Sequence, residues 1–140
     1  MRLSALLIFF ISPIISIYGQ KIVADSLKRE LQLLQRKRPA FTQDTAQVFL
    51  LNELGKARMA TDSSIIDFEK GLELAEKIQW QKGICLSLNN LGRKLKKQSN
   101  FIKAGELFYQ ALGIAQKEKN LILLAFSHRN IADNTKFKLR

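Results

Sequence analysis

With 140 residues, of which 46% are hydrophobic and 25% are charged, the chain has the composition of a small folded protein and not of a disordered one. Its 23 Lys and Arg against 12 Asp and Glu give a formal net charge of +11, which favours a partner of acidic character. The single cysteine, Cys85, excludes an internal disulfide, and its place on an apolar helix face predicts a small buried side chain.

The first residues have the features of a secretory signal peptide: Arg2, an apolar run that reaches Ile17, and then Gly19. We predict a signal peptide over residues 1–19, cleaved after Gly19, and therefore an exported protein of the periplasm or cell envelope. A retained anchor helix, which would bring membrane contact, is the alternative. Pro13 and an apolar run shorter than the roughly 20 residues that span a bilayer count against it. Export also argues against nucleic acid as a partner.

An amphipathic helix is predicted over residues 21–38, because apolar side chains recur there at intervals of three and four. The stripe consists of Val23, Leu27, Leu31 and Leu34. Pro39 ends the helix, since the residue before a proline avoids the helical conformation. We expect this helix to pack as a cap on the helices that follow.

Two helix pairs are predicted over residues 42–118. The first pair carries Val48, Leu51, Leu54 and Gly55 on one helix and Ile65, Phe68, Gly71, Leu72 and Ala75 on the next. The second pair carries Leu88, Leu91, Gly92 and Leu95, followed by Phe101, Ala104, Phe108, Ala111 and Ala115. We predict helix caps at Thr61-Asp62-Ser63, a turn at Gln98-Ser99-Asn100, and Asn100 as the N-cap of the helix after it.

The last segment, residues 119–140, begins as a further first helix. The segments that start at Gly71 and Ala111 are similar at a constant offset of about 40 residues, which is typical of a repeat array. The sequence predicts no partner helix after this last helix, unlike in the two preceding pairs. We therefore predict an incomplete third repeat or a capping helix with a basic tail.

The order of large and small residues in the second pair resembles a tetratricopeptide repeat. The residues that carry the resemblance are Leu88, Leu91, Gly92, Leu95, Phe101, Ala104, Phe108 and Ala111. Ser99 and Gln116 depart from that family's pattern, in which glycine and proline are usual. The resemblance implies an all-α fold, a right-handed solenoid of antiparallel helix pairs with about two and a half repeats.

With its leader and its LELAEKI and LNNLG segments, the chain is also similar to the exported N-terminal repeat regions of Bacteroidetes sensor histidine kinases and regulators. That resemblance implies a protein–protein interaction module with a sensing or scaffold role in signal transduction. A stack of so few units also predicts modest stability or self-association.

In such a solenoid the first helices line the concave face. The candidate partner-binding residues on that face are Asn52, Lys56, Asn89, Asn90, Arg93, Lys96, Arg129 and Asn130. Amide groups there could bind the backbone of an extended peptide or protein segment, and cations could bind its carboxylates. The alternatives are a structural or membrane-surface protein that binds anionic envelope components, and an ordinary hydrated face without a ligand.

Groups that could support catalysis are scarce. The one histidine, His128, is predicted to be a core residue on an apolar helix face. No metal-ligand, redox or phosphate-loop motif is present in the sequence. We therefore predict no catalytic residue, no metal site and no cofactor, and a protein that is not an enzyme.

Overall fold

The computed structural model describes the backbone of residues 3–36 and 41–138, and the side chains of 18–36 and 44–136. The prediction of an all-α fold is confirmed, since the described residues form helices and the turns between them. The six helices are α1 (Leu3–Arg36), α2 (Phe41–Ala57), α3 (Ser63–Lys77), α4 (Gln81–Lys97), α5 (Phe101–Lys117) and α6 (Leu121–Lys138).

Helix α1 is continuous through the predicted cleavage point after Gly19. Of the stripe predicted on it, Leu27, Leu31 and Leu34 pack against α2, and Leu31 is buried. Val23 is not packed in this cluster and is 52% exposed. The predicted cap therefore packs through the stripe that runs from Leu27 to Leu34, and Pro39 lies outside the described residues.

The junctions after α3, α4 and α5 use the same three-residue turn. In each turn the middle residue has a positive φ, and the backbone N–H of the third residue bonds to a carbonyl in the last turn of the preceding helix. At the middle junction these residues are Gln98, Ser99 and Asn100, as the sequence predicts. The Asn100 side chain accepts a hydrogen bond from the Lys103 N–H at 3.3 Å, so its predicted role as N-cap is confirmed.

The junction between α2 and α3 differs. Helix α2 ends at Ala57, soon after Gly55, whereas α4 continues from Gly92 to Lys97 before it turns. The sequence shows the same shortening, because Gly55 and Gly71 are 16 residues apart whereas Gly92 and Ala111 are 19 residues apart. Asp62 occupies the N-cap position of α3, but its side chain makes no cap hydrogen bond.

Each helix packs against the next one in the chain, and α2, α4 and α6 also pack side by side. Within the described chain, α3 and α5 do not contact each other. The side-by-side helices, which we call the α2–α4–α6 row, therefore come closer together than the helices behind them.

Glycines allow the two helices of a pair to approach closely. A Cβ atom at Gly92 would lie 2.5 Å from a ring carbon of the fully buried Phe108, far inside van der Waals contact. Gly55 faces the buried ring of Phe68 in the same way. A larger residue at either glycine would push the rings and separate the helices.

The second pair has its own cluster of buried side chains. Cys85, Leu88, Ala111 and Ala115 are buried together there, and the Cys85 thiol donates a hydrogen bond to the Ala111 carbonyl at 3.3 Å. The prediction that Cys85 is a small buried side chain is confirmed. Among the described residues, no helix combines the length and the apolar character that crossing a membrane requires.

Candidate functional site: the α2–α4–α6 row

Four of the eight predicted partner-binding residues are buried inside the row. Asn52, Asn89 and Asn90 have no exposed surface, and Asn130 is 3% exposed. Their predicted position on an open face is wrong. A buried amide is costly unless it is hydrogen-bonded, and these amides hydrogen-bond between neighbouring helices.

Asn52 is the centre of the polar contact between α2 and α4. Its Nδ2 donates to the Ser87 hydroxyl at 2.8 Å and to the Val48 carbonyl at 2.9 Å. Its Oδ1 accepts from Asn90 Nδ2 at 2.9 Å. One buried asparagine of α2 thus holds a serine and an asparagine of α4.

The same arrangement recurs between α4 and α6. Asn89 Nδ2 donates to the Ser127 hydroxyl at 3.0 Å and to the Cys85 carbonyl at 3.0 Å, and its Oδ1 accepts from Asn130 Nδ2 at 2.8 Å. We call these two sets of bonds the polar junctions of the row. They join first helix to first helix, independently of the apolar contacts within each pair.

A third polar residue extends each junction to the turn of the preceding pair. Lys94 is 4% exposed, and its Nζ donates to the carbonyls of Met59 and Thr61 at 3.3 and 2.9 Å. Asn134, on α6, donates from Nδ2 to the Phe101 carbonyl at 2.9 Å. These bonds reach backbone carbonyls in the turn after α2 and at the first residue of α5.

The sequence does contain a signal for these junctions. Ser87, Asn90 and Lys94 are three and four residues apart, and the spacing recurs in α6. At helical spacing such residues form one stripe, and its polar character indicates a solvated face. Only the repetition of this stripe in α6 distinguishes it from an ordinary solvated helix face.

The other four predicted residues keep accessible surface. Lys56 and Arg129 are exposed, and Arg93 and Lys96 are partly exposed. Lys56 forms an ion pair with Glu53 one turn before it on α2.

The side chain of Arg93 spans two helices of the row. Its guanidinium carbon lies 6.0 Å from the centre of the Phe126 ring on α6, at the outer limit of a cation–π contact.

Apolar side chains that were not among the predicted site residues also lie on this face. Phe49 on α2 is 51% exposed, and Leu86 and Phe126 occupy the corresponding places on α4 and α6 with partial exposure. These residues lie one helical turn before the junction residues. Lys56 is seven residues after Phe49, and Arg93 is seven residues after Leu86, so these cations lie on the same side of their helices as the apolar residues. We call this surface the inner face, and it combines apolar side chains with cations.

A second basic surface surrounds the turn between α4 and α5. An open cavity of about 300 Å³ is lined there by Lys96, Lys97, Ser99 and Phe101. Lys97 and Lys103 are both exposed beside this turn. The cations of this surface can attract any anionic partner without shape selectivity.

Two titratable groups with a shifted pKa, Asp67 and Cys85, are buried. His128 is exposed, so its predicted place in the core is wrong. Burial raises the pKa of the Cys85 thiol, which makes it a poor nucleophile at neutral pH. Burial also raises the pKa of the Asp67 carboxyl, although Arg58 lies 3.0 Å away and opposes the shift. No group of three or more metal-ligating side chains occurs among the described residues.

Comparisons of the chain with protein-family models, with curated proteins and with solved structures find no match. What the α2–α4–α6 row can do therefore has to follow from its own residues.

Proposed function

We propose that the chain is an exported protein–protein interaction module, built as a right-handed stack of antiparallel, tetratricopeptide-like helix pairs. Two features of the packing support the stack. Each helix packs on the next, and the first helices pack side by side while α3 and α5 stay apart. When neighbouring helices pack more closely on one side of a stack than on the other, the stack curves and the closer side becomes concave.

The inner face would hold an extended peptide or protein segment of acidic character. The observation that carries this proposal is Arg93, which spans α4 and α6 over Phe126 and stays partly exposed. A guanidinium in that position can bind a carboxylate bidentately, while exposed Phe49 offers apolar contact to the same segment. Because the four asparagines are buried, their part is to fix the spacing of these side chains.

The test is a selection from a displayed library of random peptides, followed by affinity measurements on the selected sequences. We expect enrichment of peptides that combine acidic with large apolar residues, and a loss of affinity of about tenfold or more in Arg93→Glu. Lys77→Glu is the matched control, because Lys77 is an exposed cation in the last turn of α3, away from the inner face.

The alternative is a structural or membrane-surface protein that binds anionic envelope components. The basic surface at Lys97 and Lys103 favours it. Surface adhesion follows total charge and weakens with salt. If Arg93→Glu and Lys77→Glu lose binding equally, and Lys97→Glu loses as much, the inner face has no special role and adhesion is the better description.

Export and a sensing role belong to the same proposal. They are supported by the apolar leader and by the resemblance to the repeat regions of sensor proteins. N-terminal sequencing of the protein recovered from separate envelope and cytoplasmic fractions tests export directly. A chain that starts at Gln20 agrees with it, and a cytoplasmic chain that starts at Met1 contradicts it.

A further inference from the structure

The outer face of α6 is covered by no described helix. On α4, Leu88 and Gly92 are buried under α5. The corresponding residues of α6, His128 and Ala132, are exposed. The same exposed stripe continues through Leu121, Ala125 and Thr135. Helix α6 is therefore a first helix without a second helix packed on it.

The other end of the row shows the opposite situation. Helix α1 packs on α2 as α3 packs on α4 and as α5 packs on α6, that is, as the second helix of a preceding pair. No described helix occupies the place of its own first helix. Its exposed apolar side chains are Tyr18, Ile22, Val23 and Leu33. An unpaired first helix at one end thus matches an unpaired second helix at the other.

The polar junctions define two positions on each first helix. The receiving position lies three residues before Gly55 on α2, Gly92 on α4 and Ala132 on α6. It is occupied by Asn52 on α2 and by Asn89 on α4. The donating position is the next residue, and it is Asn90 on α4 and Asn130 on α6. Each interior junction joins a receiving asparagine to a donating asparagine of the following helix.

At the two open ends these positions carry opposite charges. The receiving position of α6 is Arg129, which is exposed and makes no hydrogen bond or ion pair within the described part of the chain. The donating position of α2 is Glu53, whose side chain is 29% exposed and paired with Lys56. Arginine has only donors and a carboxylate has only acceptors, so Arg129 cannot receive an asparagine donor but fits a glutamate.

We propose that the chain associates head to tail with a second copy of itself. Helix α1 of one copy packs on the uncovered face of α6 of the next and completes a composite helix pair. Helix α2 of the same copy then lies beside α6, with Glu53 against Arg129. The occupant is a second copy because one chain supplies both the missing helix and the complementary charge. A contact of this kind is heterologous, so it builds short chains or closes into a ring.

Sedimentation velocity at low ionic strength tests the proposal, both on the full 140-residue chain and on the form from Gln20 that export would leave. We expect species above the 16.0 kDa monomer that grow with concentration. Arg129→Glu alone and Glu53→Arg alone each place like charges at the junction, and each should weaken association by at least about tenfold. An equimolar mixture of the two variants, or the double variant, restores opposite charges and should restore association.

Matched reversals of exposed charges away from the ends serve as controls. Glu69→Arg on α3 and Lys117→Glu on α5 change the net charge equally, and they should leave association unchanged. Restoration by the reciprocal pair is a readout that misfolding does not produce. A chain that stays monomeric overturns the proposal. Association that both single reversals leave intact also overturns it, and so does association that the mixture fails to restore. Clustering through the apolar part of α1 would be insensitive to both charge reversals.

Discussion

Replacing Asn89 with alanine should destabilise the protein more than any exposed substitution, because it removes the centre of the junction between α4 and α6. The change leaves the buried Ser127 hydroxyl and the Asn130 amide without their shared partner. Each orphaned buried group costs about 1–3 kcal/mol. Alanine recovers up to about 0.7 kcal/mol through its higher helix propensity. The orphaned groups dominate, so we expect a loss of about 2–4 kcal/mol, a large share of the roughly 5–15 kcal/mol that stabilises a typical domain.

The measurement is urea unfolding followed by circular dichroism, with a double-mutant cycle to Asn130. Asn130→Ala alone removes the donor to Asn89 Oδ1 and should cost about 1–3 kcal/mol. In the double variant neither amide remains buried without its hydrogen-bond partner, because both amides have been removed. Its cost should therefore be smaller than the sum of the two single costs by about 1–2 kcal/mol.

Gln110→Ala is the control, because Gln110 is exposed on α5, and its effect should stay within about 0.5 kcal/mol. The reasoning is refuted by an Asn89→Ala variant that loses no more than this control. Strict additivity of Asn89→Ala and Asn130→Ala refutes it as well, because the two side chains would then not act through a common bond.

Three further predictions concern the close approach of two helices, the backbone of a turn, and a buried carboxyl group. Gly92→Ala should lose about 1–3 kcal/mol, because its Cβ would press on the Phe108 ring, whereas Gly113→Ala, with open space around it, should gain up to about 1 kcal/mol in the same urea experiment. Ser99→Gly should raise the free energy of unfolding by about 0.5–1 kcal/mol, because Ser99 has a φ of 62°; an unchanged midpoint would count against backbone strain there. Burial raises the pKa of Asp67, so its stabilising contribution is present at acid pH and is lost as the pH rises through the raised value. Relative to Asp67→Asn, the native protein should lose stability as the pH rises above the ordinary pKa of an aspartate, about 3.9, and parallel pH profiles would contradict this.

The helices and the N-cap at Asn100 could be predicted from the sequence because they depend on local spacing. Asn100 follows a short polar break and precedes an apolar stripe, and its role as N-cap needs no long-range information. The buried stripe of Ala104, Phe108 and Ala111 could likewise be predicted, because these residues recur at helical spacing along α5. These predictions required only the residues of one helix and its neighbour in the chain.

The candidate site could not be predicted in the same way, because it depends on contacts between helices that are not consecutive. Asn52 and Asn90 are 38 residues apart, and each is polar, so each alone indicates a solvated surface. Arg93, by contrast, is partly exposed. The difference between Asn90 and Arg93 is one helical turn on α4, and only the position of α2 decides which of them is buried.

The polar junctions give the row a definite register that its apolar contacts alone would not. An apolar contact tolerates a small sliding of one helix along another, because its attraction has little directionality. A shift of α4 along α2 would instead break the bonds of Asn52 to Ser87 and to Asn90 together and leave all three buried. The spacing between Lys56 and Arg93 on the inner face is therefore set by asparagines that no ligand touches. Loss of a partner in an Asn52 or Asn90 variant would consequently show that the face has changed shape, and contact with the ligand has to be tested at Arg93.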